Sequence, residues 1–248
     1  MLKEYKDIPM DIDKSDSLSH NNDGLSLFCP KEGLRMPTER FYRLSKEKAD
    51  KIRNAAIEEF KRVPPEEVSI NKIIQNADIS RGSFYTYFED KDDLAKWILG
   101  DFIGHYRQFY VTGLKENGGD LWDVFNRVLD HTVRWVAEQS LVEIVGNMMR
   151  SSHFAESLVP GAQEGARLEE EHNSYMKMIY DAVDPKSMNL ELEDFKELMG
   201  MHLAALIMTL KAYFGDNADL NDLKVSYQRR MRLLRYGACM TENAVKQK

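Results

Sequence analysis

Apolar residues recur at helical spacing along almost the whole chain from residue 45 onward, and no stretch of useful length alternates as a strand does. In the first segment Ser45 is placed to cap a helix. Ala49, Ile52, Ala56 and Phe60 then fall at i, i+3, i+7 and i+11, and Pro64-Pro65 ends the run. Ser69 is placed to cap a short second helix that buries Ile70, Ile73 and Ile74. Ala77-Asp78-Ile79 makes a turn, Ser80 caps a third helix, and Asp90 caps a fourth. Asp92 and Asp93 stand in the first turn of that fourth helix, where the helix dipole favours negative charge. Beyond Leu94 the pattern stays helical, with breaks at Gly118-Gly119, Pro160-Gly161, Asp184-Pro185 and Gly215-Asp216. The spacing predicts an all-α protein without internal repeats.

Composition sharpens this picture. The chain has 248 residues, 43% of them hydrophobic, which suits either one large domain or a small one plus a larger one. Residues 1–34 mix Asp, Ser, Asn and Lys without a period, the composition of a mobile arm. Cys29 and Cys239 lie far apart with no CxxC pair, which argues against a disulfide framework or a cysteine zinc site and for a reducing cytoplasm. The start, MLKEYKDIPMDIDKSDS, lacks the apolar core of a secretory signal. The apolar run at 198–210 is too short for a bilayer and reads as a buried core helix, so no membrane partner is expected. A net charge of -7 excludes a protein coated in positive charge. Locally the balance differs: Arg35 to Arg53 carries seven basic residues against three acidic ones.

The third helix holds the densest chemistry, in SRGSFYTYFEDKDDL at 80–94. Residues four apart on a helix share a face, so Phe84 pairs with Phe88, Arg81 with Tyr85, and Ser83 with Tyr87. The Phe pair is expected to lock the helix to the two before it, leaving Arg81, Ser83, Tyr85 and Tyr87 to project donors outward. Gly82 costs the helix roughly 1 kcal/mol of propensity relative to Ala, and it lets another surface approach the backbone closely. Two short helices across a tight turn form a helix-turn-helix, whose second member enters a DNA major groove by its N-terminal end.

The stretch INKIIQNADISRGSFYTYFEDKDDL resembles the signature of the tetracycline-repressor-like (TetR/AcrR) transcriptional regulators, and the resemblance runs from about Phe41 to Leu94. It departs from the usual pattern at Asp78, where Gly is common, and at Pro64-Pro65, where Gly-Tyr is common. The resemblance implies that Ser69 bonds a phosphate at the start of the second helix. It makes Ser80, Arg81, Gly82, Ser83 and Tyr85 the reading surface, brings Thr86 and Tyr87 to backbone or bases, and has Lys91 hold a phosphate. Lys91 at a helix N-terminus would add its charge to free backbone N–H groups. Arg81 would reach a guanine edge.

The expected organisation is an N-terminal extension over 1–43 with a basic end, a helix-turn-helix DNA-binding domain over 44–92, and a helical effector-binding and dimerisation domain over 93–248. The resemblance implies partners of three kinds: a double-stranded DNA operator, a small-molecule effector, and a second copy in a homodimer. Two apolar stripes were the expected dimer surface. One is Phe195, Leu198, Met199, Leu203, Leu206, Leu210 and Phe214; the other is Leu220, Leu223, Tyr227, Met231, Leu234 and Ala238. Between residues 97 and 180, His105, Phe109, Trp122, His131, Trp135, Phe154 and Tyr175 are candidates to line an apolar effector pocket, with Trp97, Tyr106 and Phe125 among the same aromatics. No His pair stands at i, i+3 or i+4, and HExxH and GxSxG are absent, so no catalytic residue, metal site or cofactor is expected. A helical small-molecule-binding or protein-interaction module that keeps the fold without operator binding is the alternative.

Overall fold

In a computed structural model, the described residues are 37–151 and 166–239; the expected arm at 1–34 and the break at Pro160-Gly161 lie outside them. The chain is all-α, with no strand among the described residues. Its helices are α1 (Glu39–Tyr42), α2 (Lys46–Arg62), α3 (Ile70–Asn76), α4 (Arg81–Tyr87), α5 (Lys91–Ile98), α6 (Gly100–Glu116), α7 (Leu121–Glu138), α8 (Val142–Arg150), α9 (Ala166–Ala182), α10 (Leu192–Leu210) and α11 (Leu220–Cys239). The expected caps form: Ser45, Ser69 and Ser80 accept from the backbone N–H groups of Lys48, Lys72 and Ser83, and Asp90 accepts from those of Asp92 and Asp93. Asp78 takes the left-handed conformation, φ 52°, that a turn without Gly demands here.

Helices α1 to α5 enclose one core. Phe84 and Phe88 are fully buried in it, as their spacing predicts, with Ile52, Phe60, Ile73 and Leu94. The N-terminal extension does not stop outside this core. Phe41 is 4% exposed, and its ring lies 4.8 Å from Trp97 and 5.2 Å from Phe88. Just before it, Thr38 donates from its backbone N–H to the Tyr87 carbonyl (2.9 Å) and from its hydroxyl to the Thr86 carbonyl (2.7 Å). These are carbonyls at the C-terminus of α4 that have no helical partner. The unit therefore begins before the boundary expected at residue 43. Trp97 belongs to this core and not to an effector pocket.

The remaining helices pack around a second core of Tyr110, Leu114, Trp122, Phe125, Val128, Phe195, Leu206, Tyr227 and Met231. The apolar stripes expected to face a second copy are largely inside it. Phe195, Leu198, Met199, Leu206, Leu210, Phe214, Tyr227 and Met231 are all buried within the chain. Helix α10 continues into a π-helical turn, Lys211–Gly215, and this length is apolar enough to cross a membrane by composition. That exceeds what the run at 198–210 suggested. Half of the apolar window is buried in the body, the pattern of a core helix.

A one-way hydrogen-bond chain crosses this core. Tyr227 Oη donates to the Phe125 carbonyl (3.0 Å), so it accepts from His202 Nε2 (2.7 Å), which leaves His202 Nδ1 to accept from the Tyr110 hydroxyl (3.0 Å). Burial pushes His202 down to about 3, so the ring is neutral and this tautomer is fixed.

Helix α8 joins the two cores. The Phe60 and Lys61 carbonyls would normally accept from the N–H groups four residues on, but those residues are Pro64 and Pro65, which have none. The Asn147 amide of α8 supplies the missing donors, reaching the Phe60 carbonyl at 2.7 Å and the Lys61 carbonyl at 2.6 Å. On its other side α8 lies so close to the π turn that a Cβ on Gly146 would come within 2.9 Å of the Phe214 carbonyl oxygen. Asn147→Ala leaves one buried and one part-buried acceptor unpaired and is expected to lower unfolding free energy by about 1–3 kcal/mol in denaturant titrations.

Candidate nucleic-acid interface and effector region

Helix α4 is short and is held from behind. With Phe84 and Phe88 inside, Arg81, Gly82 and Tyr85 are exposed and Ser83 and Thr86 half-exposed. Tyr87 departs from expectation: it is 8% exposed, with its ring 5.8 Å from that of Phe41, so the ring packs and does not project. The sequence pairing of Ser83 with Tyr87 therefore marks no second outward stripe.

Arg81 donates to Asn71 Oδ1 of α3 (3.0 Å) and to the Tyr85 hydroxyl (3.4 Å), with its guanidinium 5.6 Å from the Tyr85 ring centroid. Five N–H donors leave it others for a base edge, and Asn71 fixes its direction. Asn71 was not singled out from the sequence, since its role comes from a contact across the turn. A Cβ at Gly82 would meet only Ser80 Oγ, at 3.8 Å, so nothing within the chain requires glycine there. Thr86 spends its hydroxyl proton on the Gly82 carbonyl (2.8 Å), and the Ser80 and Ser83 hydroxyls lie 2.9 Å apart.

Ser69 is positioned by a residue that the sequence reading missed. Glu59, 5% exposed at the end of α2, accepts from Arg62 at 2.6 and 3.0 Å and from the Ser69 backbone N–H at 3.1 Å. It thereby ties α2 to the entry of α3.

Lys91 sits at the N-terminus of α5, as expected, but its surroundings differ. Its ammonium donates to the Glu66 carbonyl, and the Asp90 carboxylate already takes the N–H groups of Asp92 and Asp93 (2.8 and 2.9 Å). A phosphate here would use the remaining ammonium protons rather than a ring of free backbone donors. Asp93 is buried and accepts from the Glu89 N–H (2.9 Å); burial pushes its carboxyl up to about 6, against the benefit expected from the dipole.

The expected effector residues separate into groups. Trp135, His105, His131 and Phe109 stack in a ladder, with successive centroids 4.3, 4.8 and 4.1 Å apart and the two His Nε2 atoms at 2.7 Å. The ladder fills its own space. Burial, helped by His105, Arg134 and Arg127, pushes His131 down to about 4, so it is neutral at pH 7. Sequence spacing could not reveal this pair, which joins α6 to α7. Trp122 is core and donates its indole N–H to the Ser187 carbonyl (3.2 Å). Tyr175 is buried, and Phe154 lies outside the described residues. A cavity of about 30 Å³, lined by Arg53, Ile57, Ile98, Phe102, Leu141 and Ile144 among others, sits where the two halves meet; it has room for water rather than an effector. Among the described residues no three His, Cys, Asp or Glu side chains are grouped to hold a metal ion.

Residues 52–97 match the family model described as bacterial regulatory proteins, tetR family, and residues 120–238 match one described as tetracyclin repressor-like, C-terminal domain. The chain belongs to the TetR family. The TetR match at 52–97 covers the helix-turn-helix, and the second covers α7 to α11. A similar protein is the uncharacterized HTH-type transcriptional regulator YvdT of Bacillus subtilis (strain 168), 31% identical over 85 residues. That match takes in 34% of this chain and 43% of the relative, less than half its length. Among solved structures, a TetR transcriptional regulator from Rhodococcus sp. RHA1 aligns over 76% of this chain and 95% of its own at 15% identity and TM-score 0.45. A TetR family regulator from Chloroflexus aurantiacus J-10-FL aligns over 82% and 98% at 20% identity and TM-score 0.41.

The hydrogen bond from Arg62, then that from the Ser69 N–H, hold the Glu59 carboxyl below its ordinary 4.5 despite burial. A depressed carboxyl contributes stability that is present above pH 4.5 and lost as pH falls below it. Glu59→Gln is therefore expected to melt at a lower temperature than the parent at pH 7, with the gap narrowing toward pH 3 in thermal scans.

Proposed function

We propose that the protein is a sequence-specific transcriptional regulator that binds a palindromic DNA operator as a homodimer and represses until a small-molecule effector releases it. The observation that carries this reading is the construction of α4. Arg81, Gly82 and Tyr85 share an exposed face, while an aromatic core fixes the helix from behind. Gly82 has no intrachain partner that demands it, which fits a close approach by an external backbone. Ser69 and Lys91 flank this face as phosphate contacts, Ser80, Ser83 and Thr86 extend it, and Arg81 reads a base edge. The ring of Tyr87 buttresses the face from inside. This activity requires the cytoplasm, where operators are.

The surface for the second copy lies opposite the stripes that fill the core. Met201 and Met208 on α10, and Val225, Leu233 and Tyr236 on α11, are large apolar side chains at least half exposed. Large exposed apolar side chains gathered on two packed helices suit an association site, and a two-fold pair presents two heads to two half-sites. Leu233→Glu is expected to shift sedimentation toward monomer and to weaken operator binding; an unchanged dimer removes α11 from the interface.

Band-shift titrations on matched and scrambled duplexes at several salt concentrations test the assignment of roles. Arg81→Ala is expected to cost about 1–3 kcal/mol per half-site on the matched duplex and far less on the scrambled one. Lys91→Ala should weaken both alike and reduce the salt slope by about one counterion per half-site. Equal losses for Arg81→Ala on both duplexes make it a phosphate contact only. No binding by the parent protein to any duplex favours a helical module without operator activity.

A further inference from the structure

The polar cluster between α6, α9 and α11 has more donors than acceptors. The Tyr110 proton goes to His202, the His202 proton to Tyr227, and the Tyr227 proton to the Phe125 carbonyl. The Tyr106 ring lies 4.8 Å from that of Tyr110. Tyr175 on α9 is left over: its residue is 7% exposed, and its buried hydroxyl has no hydrogen-bond partner. An orphaned buried hydroxyl is uncommon and calls for a cause. Beside it, the half-buried Arg107 guanidinium lies 5.0 Å from the Tyr175 ring centroid. Arg107 forms no ion pair with a carboxylate among the described residues.

Among the described residues this leaves a phenol proton without an acceptor beside a cation without an anion, and the pair defines what a ligand must bring. A carboxylate supplies both, since it is anionic and acceptor-only, with about four lone-pair sites. The neighbouring rings of Tyr106, Tyr110 and Tyr175 favour an apolar body over a second charge. Tyr106 and Arg107 are each partly exposed on α6, which gives a route in from solvent. Burial pushes Tyr106 up to about 12 and Tyr175 well above the usual phenol range, so both stay protonated as donors at neutral pH.

We infer that Arg107 and Tyr175 form the anchor of an effector site for a small monocarboxylate with an apolar body, Arg107 pairing with its charge and Tyr175 donating to one carboxylate oxygen. The inference rests on the reading of the body as the effector-binding half. It names the chemical class that the body selects.

The test uses the full chain, with benzoate and octanoate as probes and benzamide and octanamide as neutral counterparts, in calorimetric titrations without DNA. Expected results are binding of at least one carboxylate, no binding of its amide, and affinity losses on the order of 10- to 100-fold in both Arg107→Gln and Tyr175→Phe, the scale of a hydrogen bond to a charged group. Tyr175→Phe removes an unpaired buried hydroxyl, so without ligand it should melt no lower than the parent, and this separates lost binding from lost folding. Equal binding of carboxylate and amide, absence of binding by both carboxylates, or unchanged affinity in both variants overturns the proposal. So does a marked drop in melting temperature of unliganded Arg107→Gln, which would mean that the guanidinium is already paired. Operator affinity is measured separately: carboxylate binding that depends on Arg107 but leaves operator affinity unchanged supports the site and counts against effector-controlled repression.

Discussion

The Asn147 amide on the last carbonyls of α2 is the contact that makes one protein of two helical units. Pro64 and Pro65 remove two donors that α2 needs, and α8, from the other half of the sequence, replaces them. A buried acceptor at a helix end cannot be left to water it does not reach, so the head holds its position only while α8 holds its own. Close by, α8 carries Ile144 and Met148 into the core of the head, and Ser151 bonds the Glu66 carboxylate just before α3. One short helix thus ties the orientation of the DNA-binding half to the body, beside the direct passage from α5 into α6.

The head in turn is organised around aromatic packing and local caps. The caps of α2, α3, α4 and α5 each satisfy donors that begin a helix, while Thr38 does the same for the carbonyls that end α4. With Phe41, Phe84, Phe88 and Trp97 meeting behind it, a seven-residue helix that would not persist alone in water has a fixed direction. The same construction keeps Arg81 and Tyr85 at the surface, where Asn71 and Glu59 align the helix pair from the side.

What could be read in the sequence was local. Caps, the turn at Asp78 and the inward turn of Phe84 and Phe88 all depend on neighbours within a few residues. Tyr87 was misplaced because a seven-residue helix gives too few turns to define an inner face, and its partner Phe41 comes from far upstream. The stripes of α10 and α11 were assigned to the wrong surface for another reason: both helices are apolar on opposite sides, so the period identifies faces without saying which lies within the chain. Asn147 and the His105–His131 pair carry no signal in spacing, because each joins helices brought together only by the fold.

The hydrogen-bond chain through His202 has a direction, and its ends are therefore not equivalent. Loss of the hydroxyl at the Tyr110 end strands one acceptor, the imidazole nitrogen. Loss at the Tyr227 end strands a donor, the imidazole N–H, while the Phe125 carbonyl keeps its helical partner within α7. The body's interior is thus polarised along its own wiring: damage at the α6 side bares an acceptor, and damage at the α11 side bares a donor.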